Sequence, residues 1–407
     1  MHRMRTVKNY GIGATLLMAS AAAQAGIVFT PHLSEYSRLP PGQYSEATLV
    51  MTEIEKIYDE KGNIIRVGTP FVPAGGSTDA ALLLYKSLWI GNVFRDTNVP
   101  ILKTHPQFCR VIGVLGYHQN TEQVGDRTRI FGAKAGANGL GDLFTLCGVY
   151  GDEHTWGPVK FNGLLATTVK FPIGRYDTDA ILNIGTNYWS YIPQFAFHSE
   201  LYGRLILDGT FAYQFNGTNN SPSFLGLTPT RIANWRNFEV NAAWKFNEHW
   251  FADVGYGYRE SVGPNYYDKV NVTNEEPVRA EDGCRNLSLP PAQCDATNQF
   301  FVQSQPKPGG YRDAGVNGTA ITAGFYYIYR TSSVFNLRVF KPIDGKGARF
   351  NVPLDVYQAQ PDGMGGYTRG ADTGINSNSQ LFGVQEAAAI SASPFLELRY
   401  VYLFWAP

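Results

Sequence analysis

The stretch "NYWSYIPQFAFHS", Asn187 to Ser199, decides how the rest of the chain is read. Trp189, Tyr191, Phe195 and Phe197 hold alternate positions, and Ser190, Gln194 and His198 stand between them. Successive side chains of a strand point to opposite faces, so this segment has one aromatic face and one polar face. A water-soluble sheet would bury the rings. A membrane barrel would turn them to lipid and keep the polar face wet inside. The stretch by itself admits both, and its neighbours must choose.

The same period of two recurs along the chain. Phe161, Leu165, Val169 and Phe171 oppose Lys160, Asn162, Thr168 and Lys170. Leu205, Leu207, Phe211, Tyr213 and Phe215 oppose Arg204, Asp208, Thr210 and Gln214. Phe238, Val240, Ala242, Trp244 and Phe246 oppose Asn237, Glu239, Asn241 and Lys245. Ala252, Val254, Tyr256 and Tyr258 oppose Asp253 and Arg259; Leu396, Leu398, Tyr400, Tyr402 and Phe404 oppose Glu397 and Arg399. Weaker alternation predicts strands at Tyr44 to Tyr58, Thr78 to Arg95, Phe108 to Gln119, Gly141 to Tyr150, Thr319 to Arg330 and Val334 to Phe340. The total is about twelve, within a range of roughly 10 to 14, and most have the roughly 9 to 11 residues that a tilted membrane strand needs.

The connections choose between the two readings. Tyr150 to Pro158, Ser199 to Gly203, Asn247 to His249 and Thr331 to Ser333 are tight, whereas Asn120 to Asn138, Pro172 to Asn187, Asn216 to Trp235, Glu260 to Asn317 and Lys341 to Ser393 are long. They alternate in order, which puts every long loop at one end, as in outer-membrane barrels. Closure also pairs every backbone N–H and C=O in hydrocarbon, where each unpaired group costs several kcal/mol. The expected fold is therefore all-β, a transmembrane antiparallel up-and-down barrel with periplasmic termini over 44–407, carrying a long extracellular loop at 260–317.

Composition agrees. The chain has 407 residues, with 34 Lys and Arg against 34 Asp and Glu, and an aromatic fraction of 14%. Zero net charge gives no basis for nucleic-acid binding. A mean hydropathy of −0.20 excludes a bundle of membrane helices. At the N-terminus a basic start (His2, Arg3, Arg5, Lys8), an apolar run from Gly11 to Ala23 and the small-x-small sequence Ala23-Gln24-Ala25 read as a signal peptide over 1–25. Residues 26–43 would then form a periplasmic or plug segment.

Four cysteines suit an oxidising compartment. Cys284 and Cys294 lie close together in a loop-like stretch, where a disulfide would contribute roughly 2 to 3 kcal/mol. Cys109 and Cys147 have the same outward phase at similar depth on two expected strands, and either pair there or remain two small apolar residues.

Chemistry is sparse. The histidines show no HxH or HExxH spacing, and no Cys/His ligand set occurs, so neither a metal nor another cofactor is expected. Gly139-Leu140-Gly141-Asp142 leads into a strand and reads as a bend. No GxSxG occurs; His198-Ser199 is the nearest approach to a lipase site, and adjacent strand residues point apart, so no enzyme is expected. The polar faces instead supply Lys160, Lys170, Arg204, Asp208, Glu239, Lys245, Asp253, Arg259, Arg338, Glu397 and Arg399. These are the candidate lumen-lining residues. They either pair to fill a barrel of intermediate width or border a solute path.

Several stretches carry a resemblance. Gly139-Leu140-Gly141-Asp142, Phe171-Pro172-Ile173-Gly174-Arg175-Tyr176-Asp177, and Leu182 to Tyr191 with Pro193 to Phe197 resemble the outer-membrane family named for the meta-pathway of phenol degradation. Pro40-Pro41-Gly42 resembles the start of that family's barrel. The resemblance implies a transporter-like channel for small hydrophobic or aromatic compounds, with outer-membrane lipid, such a solute and the barrel-assembly machinery as partners. The chain departs from the family in the loop holding Cys284 and Cys294, and in ending Trp405-Ala406-Pro407 beyond Phe404. The competing reading is a structural or surface-interaction barrel acting through its long loops.

Overall fold

The computed structural model describes residues 25–26, 36–37, 40–59, 61–66, 78–92, 96, 98–120, 129–130, 133–134, 136–178, 183–221, 230–267, 272–273, 278–279, 299–304, 311–312, 315–329, 333–350, 354–361, 363–364, 367–376 and 385–405. Among these, twelve antiparallel strands close into one barrel. They are β1 (Gly42–Ile54), β2 (Thr78–Gly91), β3 (Gln107–Asn120) and β4, which runs in two pieces, Gly136–Leu140 and Leu143–Tyr150. Next come β5 (Val159–Phe171), β6 (Ser190–Leu201), β7 (Leu205–Asn216) and β8 (Asn234–Lys245). The last four are β9 (Trp250–Val262), β10 (Asn317–Tyr329), β11 (Ser333–Lys346) and β12 (Phe395–Trp405).

Each strand pairs with its neighbour in sequence, and β12 returns to β1 from Gln43↔Trp405 to Thr52↔Phe395. No sheet edge is left open along this ring, which is what a bilayer requires of a strand-built wall. Among the described residues no helix is long and apolar enough to cross a membrane.

Gly42 and Trp405 lie at the end that carries the short turns 202–204 and 246–249, where β10 also ends at Tyr329 and β11 begins at Ser333. Two connections at that end are longer: 92–106 contains a short helix, Pro100–Thr104, and 151–158 contains the strand His154–Trp156, which extends β5. The opposite end carries the long loops and small sheets of their own, one joining Lys56–Tyr58 to Gln385–Ser391. The first strand, expected to reach Tyr58, leaves the barrel after Ile54. The cause is its partner: β12 begins only at Phe395, opposite Thr52, so beyond that point the chain pairs with the loop strand instead.

The two faces separate as alternation demands. Trp189, Tyr191, Phe195, Phe211, Trp244 and Tyr400 are exposed on the outer face, whereas Ser190, Gln194 and His198 are buried in the bore. The opening stretch thus puts its rings outward and its polar groups inward. Ring pairs cross strands on the outer wall, including Phe335 with Tyr400 at 4.9 Å between centroids.

Cys109 of β3 and Cys147 of β4 stand directly opposite each other on the outward phase and are joined by a disulfide, with Cα atoms 4.1 Å apart. Cys284 and Cys294 lie outside the described residues. The Cys109–Cys147 bond closes a separation of 38 residues. Replacing both cysteines by serine is expected to lower the unfolding free energy by about 3 to 4 kcal/mol. Denaturant titration in lipid vesicles measures this, and the β-type circular dichroism spectrum should survive.

Candidate functional site: the bore and its inward loop

Inward-facing residues sort by height into layers. Near the short-turn end Tyr44, Leu88, Phe108, Leu164, Phe251 and Val334 belong to one buried apolar cluster. Two residues further along β1, β2 and β12 the bore becomes charged, with Glu46, Lys86, Arg399 and Glu397 all buried. Beyond this belt Val50, Leu82, Ile112, Ile192, Phe340 and Phe395 form a second apolar cluster, in which the Phe340 and Phe395 rings stack at 4.2 Å. A twelve-stranded bore lies between the eight strands that side chains fill and the 16 to 18 that leave a water channel. Here the width is largely taken up by the side chains themselves.

The belt neutralises itself. Glu46 Oε1 accepts from Lys86 Nζ at 2.5 Å and from Thr48 Oγ1 at 2.9 Å, while its Oε2 accepts from Arg399 Nη2 at 2.9 Å. Across the bore wall Arg338 Nη2 lies 3.2 Å from Asp253 Oδ2 and also donates to Thr322 Oγ1, and the Tyr326 hydroxyl donates to Asp253 at 3.1 Å. Lower on the wall His198 Nδ1 meets Asp208 Oδ1 at 2.8 Å. His198 is therefore engaged across strands with Asp208, on the face opposite Ser199, and no base and nucleophile are brought together. Among the described residues no group of three or more His, Cys, Asp or Glu side chains is placed to hold a metal ion.

At the long-loop end, residues 183–188 of the β5–β6 connection fold into the bore. Ile184 joins the upper apolar cluster with no exposed surface, and Thr186 and Tyr188 are buried beside it. Asp142, at the break between the two pieces of β4, pins this loop. Its Oδ1 accepts from Gly174 N at 3.1 Å; its Oδ2 accepts from Thr186 N at 3.0 Å and Thr186 Oγ1 at 2.5 Å. Lys170 donates to the Thr186 hydroxyl, sits 3.8 Å from Asp142 and places its ammonium 3.4 Å from the centre of the Tyr188 ring.

Two glycines allow the close approach. A Cβ on Gly174 would lie 2.6 Å from Asp142 N, and one on Gly185 would lie 2.7 Å from the Gly174 carbonyl. Around them Arg175 N donates to Leu140 O at 2.7 Å, Gly185 N to Arg175 O at 2.8 Å, and Arg175 Nη1 to Asn138. The three glycine-containing stretches singled out in the sequence are thus one structural unit, the anchor of the inward loop.

Of the residues expected to line the lumen, Lys170, Asp208, Glu239, Asp253, Arg338, Glu397 and Arg399 are buried on the bore side, and half-buried Arg259 stacks its guanidinium on Trp235 at 4.1 Å. Three stand elsewhere. Lys160 has the inward phase but is exposed at the short-turn rim, where the bore opens to solvent. Arg204 is exposed in the turn 202–204, because β6 has already ended at Leu201. Lys245 is only half-buried at the end of β8, with its ammonium 5.8 Å from the Phe251 ring. Sequence reasoning missed Glu46, Lys86 and Arg110, which share the inward phase of the first three strands, and Asp142.

A closed barrel with lipid-facing rings, short turns at one end and long loops at the other is an outer-membrane β-barrel, and this one has a self-paired charged belt and an inward-folded loop. The family model described as "Putative MetA-pathway of phenol degradation" matches residues 68–276, and the chain belongs to that family. An outer membrane channel from Pseudomonas putida F1 has a similar structure, with a TM-score of 0.54 and 12% identity over 91% of this chain and 98% of that one. A Pseudomonas aeruginosa FadL homologue gives a TM-score of 0.31 at 9% identity, covering 97% of this chain and 100% of the other. The TodX monoaromatic hydrocarbon channel gives 0.32 at 9% identity, covering 92% and 93%. No curated protein sequence matches the chain.

Proposed function

We propose that the barrel is a passive channel for small, partly apolar aromatic molecules. The observation that carries this reading is the layered bore, in which two apolar clusters flank a charged belt where Glu46 pairs with both Lys86 and Arg399. Such a passage offers ring-sized apolar surface with little polar demand on the solute, and a sugar would lose hydration without replacement partners. Membership in a family named for phenol degradation supports the same solute class.

In this reading Lys170, Asp208, Glu239, Asp253, Arg259, Arg338, Glu397 and Arg399 border the path, while Lys160, Arg204 and Lys245 flank its periplasmic mouth. Residues 1–25 act as the export signal, and 26–43 act as a plug. Tyr36, buried in the lower apolar cluster with its carbonyl accepting from Asn162 Nδ2 at 3.1 Å, supports the plug assignment.

The test is uptake by liposomes holding the purified protein. Toluate and phenol should enter faster than into empty vesicles, and glucose should not. Equal aromatic uptake with and without protein would remove the channel reading.

A further inference from the structure

The outer third of the bore holds a cluster that the charged belt does not explain. Lys170 on β5, Ser190 on β6, Gln214 on β7, Trp235 on β8 and Arg259 on β9 occupy five successive strands at matching height. The register links them: Lys170 lies opposite Ser190, Gln214 opposite Trp235, and Arg259 one pleat from Trp235. The inward loop brings Tyr188 into the same space, its ring face on Lys170.

Two polar atoms here are buried without a hydrogen-bond partner. One is Arg259 Nε, an N–H donor; the other is Gln214 Oε1, an acceptor. A buried donor left unmade costs about 1 to 3 kcal/mol, more when it carries charge, so a ligand that supplied the missing acceptor would be held there. Two carboxylates lie near the cations: Asp142, whose oxygens are already committed to Gly174, Thr186 and Lys170, and Glu239 on β8, one pleat from Arg259.

We propose that Arg259, Lys170 and the ring faces of Tyr188 and Trp235 form a binding station for a monoaromatic carboxylate. The carboxylate accepts from the free edge of the Arg259 guanidinium, a planar donor suited to it. The ring packs against Tyr188 on the side away from Lys170, where offset or edge-on packing is favourable, while Trp235 holds the Arg259 guanidinium in place. Neutral aromatics pass the same point without this contact, so the station sets a preference for aromatic anions. The inference rests on the channel reading above and narrows its solute class.

The experiment compares benzoate with benzylammonium, an aromatic ion of similar size and opposite charge, each rate being read after subtraction of that into empty vesicles. Uptake into liposomes is measured with the full chain, alongside benzoate binding by calorimetry in detergent. The wild-type protein should favour benzoate by about tenfold, the size of one charge-assisted hydrogen bond. In Arg259→Gln the ratio should fall to about one and benzoate affinity should drop by about tenfold, with Arg259→Lys intermediate. Lys103→Gln, altered on the exposed short helix Pro100–Thr104, should keep both. If the wild type admits both ions equally, or Arg259→Gln keeps the preference, the station is refuted while the channel reading stands. If neither ion nor phenol enters and calorimetry detects no benzoate binding, both fail.

Discussion

Asp142→Ala is expected to free the inward loop, raising ion conductance in planar bilayers and exposing the bond after Arg175 to trypsin. In the wild type the loop is held from both sides. Asp142 accepts from two backbone amides and the Thr186 hydroxyl, and Arg175 is tied to Asn138 and Leu140. A loop so bonded cannot adopt the extended form that a protease needs. Removing the carboxylate leaves Lys170 fully buried beside Thr186 with its nearby negative charge gone. Losing one partner of a buried pair costs about 3 to 5 kcal/mol. The loop should therefore leave the bore and take Ile184 out of the upper apolar cluster. Asp142→Asn, which keeps acceptor oxygen but loses the charge, should fall between. Unchanged conductance and an intact Arg175 bond in Asp142→Ala would show that the loop is held by packing alone.

Glu46→Ala should be comparably damaging for a different reason. Its carboxylate joins Lys86 and Arg399, and all three side chains are buried at the centre of the bore. Deletion leaves two buried cations facing each other without it, at a cost of about 3 to 5 kcal/mol by denaturant titration in vesicles. Hydrophobic replacement of the whole set, Glu46→Leu with Lys86→Leu and Arg399→Met, should recover most of that loss, because Glu397, the carboxylate left in the belt, keeps Arg338 directly opposite it. The triple variant should also lose whatever ion selectivity the wild type displays. A triple variant as unstable as the single one would mean that the belt stabilises the barrel through geometry the replacements cannot supply.

The wall was more legible in the sequence than the bore. From β5 onward rings and polar groups alternate cleanly, so the opening stretch and the strands after it could be assigned a lipid face and a lumen face residue by residue. The first strands were blurred because their inward side is itself apolar. Leu82, Leu84, Leu88 and Ile90 line the bore and read as greasy as the outward Leu83, Tyr85 and Trp89, which hid Lys86 among them. Lys160 and Arg204 stand at the exposed rim for a simpler reason: alternation keeps its phase past the point where the wall stops, and periodicity carries no mark of depth. Asp142 was read as part of a bend, which it is. Its partners Gly174 and Thr186 stand 32 and 44 residues away, and contacts at that range leave no periodic trace. Only the glycines hinted at them, since Gly174 and Gly185 tolerate no side chain where the loop meets β4.

The mouth of the barrel adds a smaller point. Tyr58 packs with Trp235 and Val316 under the loop sheet, and burial, with Asp344 nearby, raises its phenol above the usual tyrosine range. It therefore stays a neutral, apolar cap across physiological pH.

The cross-strand cystine has a consequence for the order of events in biogenesis. It staples adjacent strands at the open end of their hairpin, far from the loop that joins them, so oxidation in the aqueous space before insertion would hand the assembly machinery a hairpin whose alignment is already chosen. A one-residue slip of β3 against β4, which would swap every lipid-facing side chain with its bore-facing neighbour, becomes covalently forbidden before the bilayer is there to penalise it.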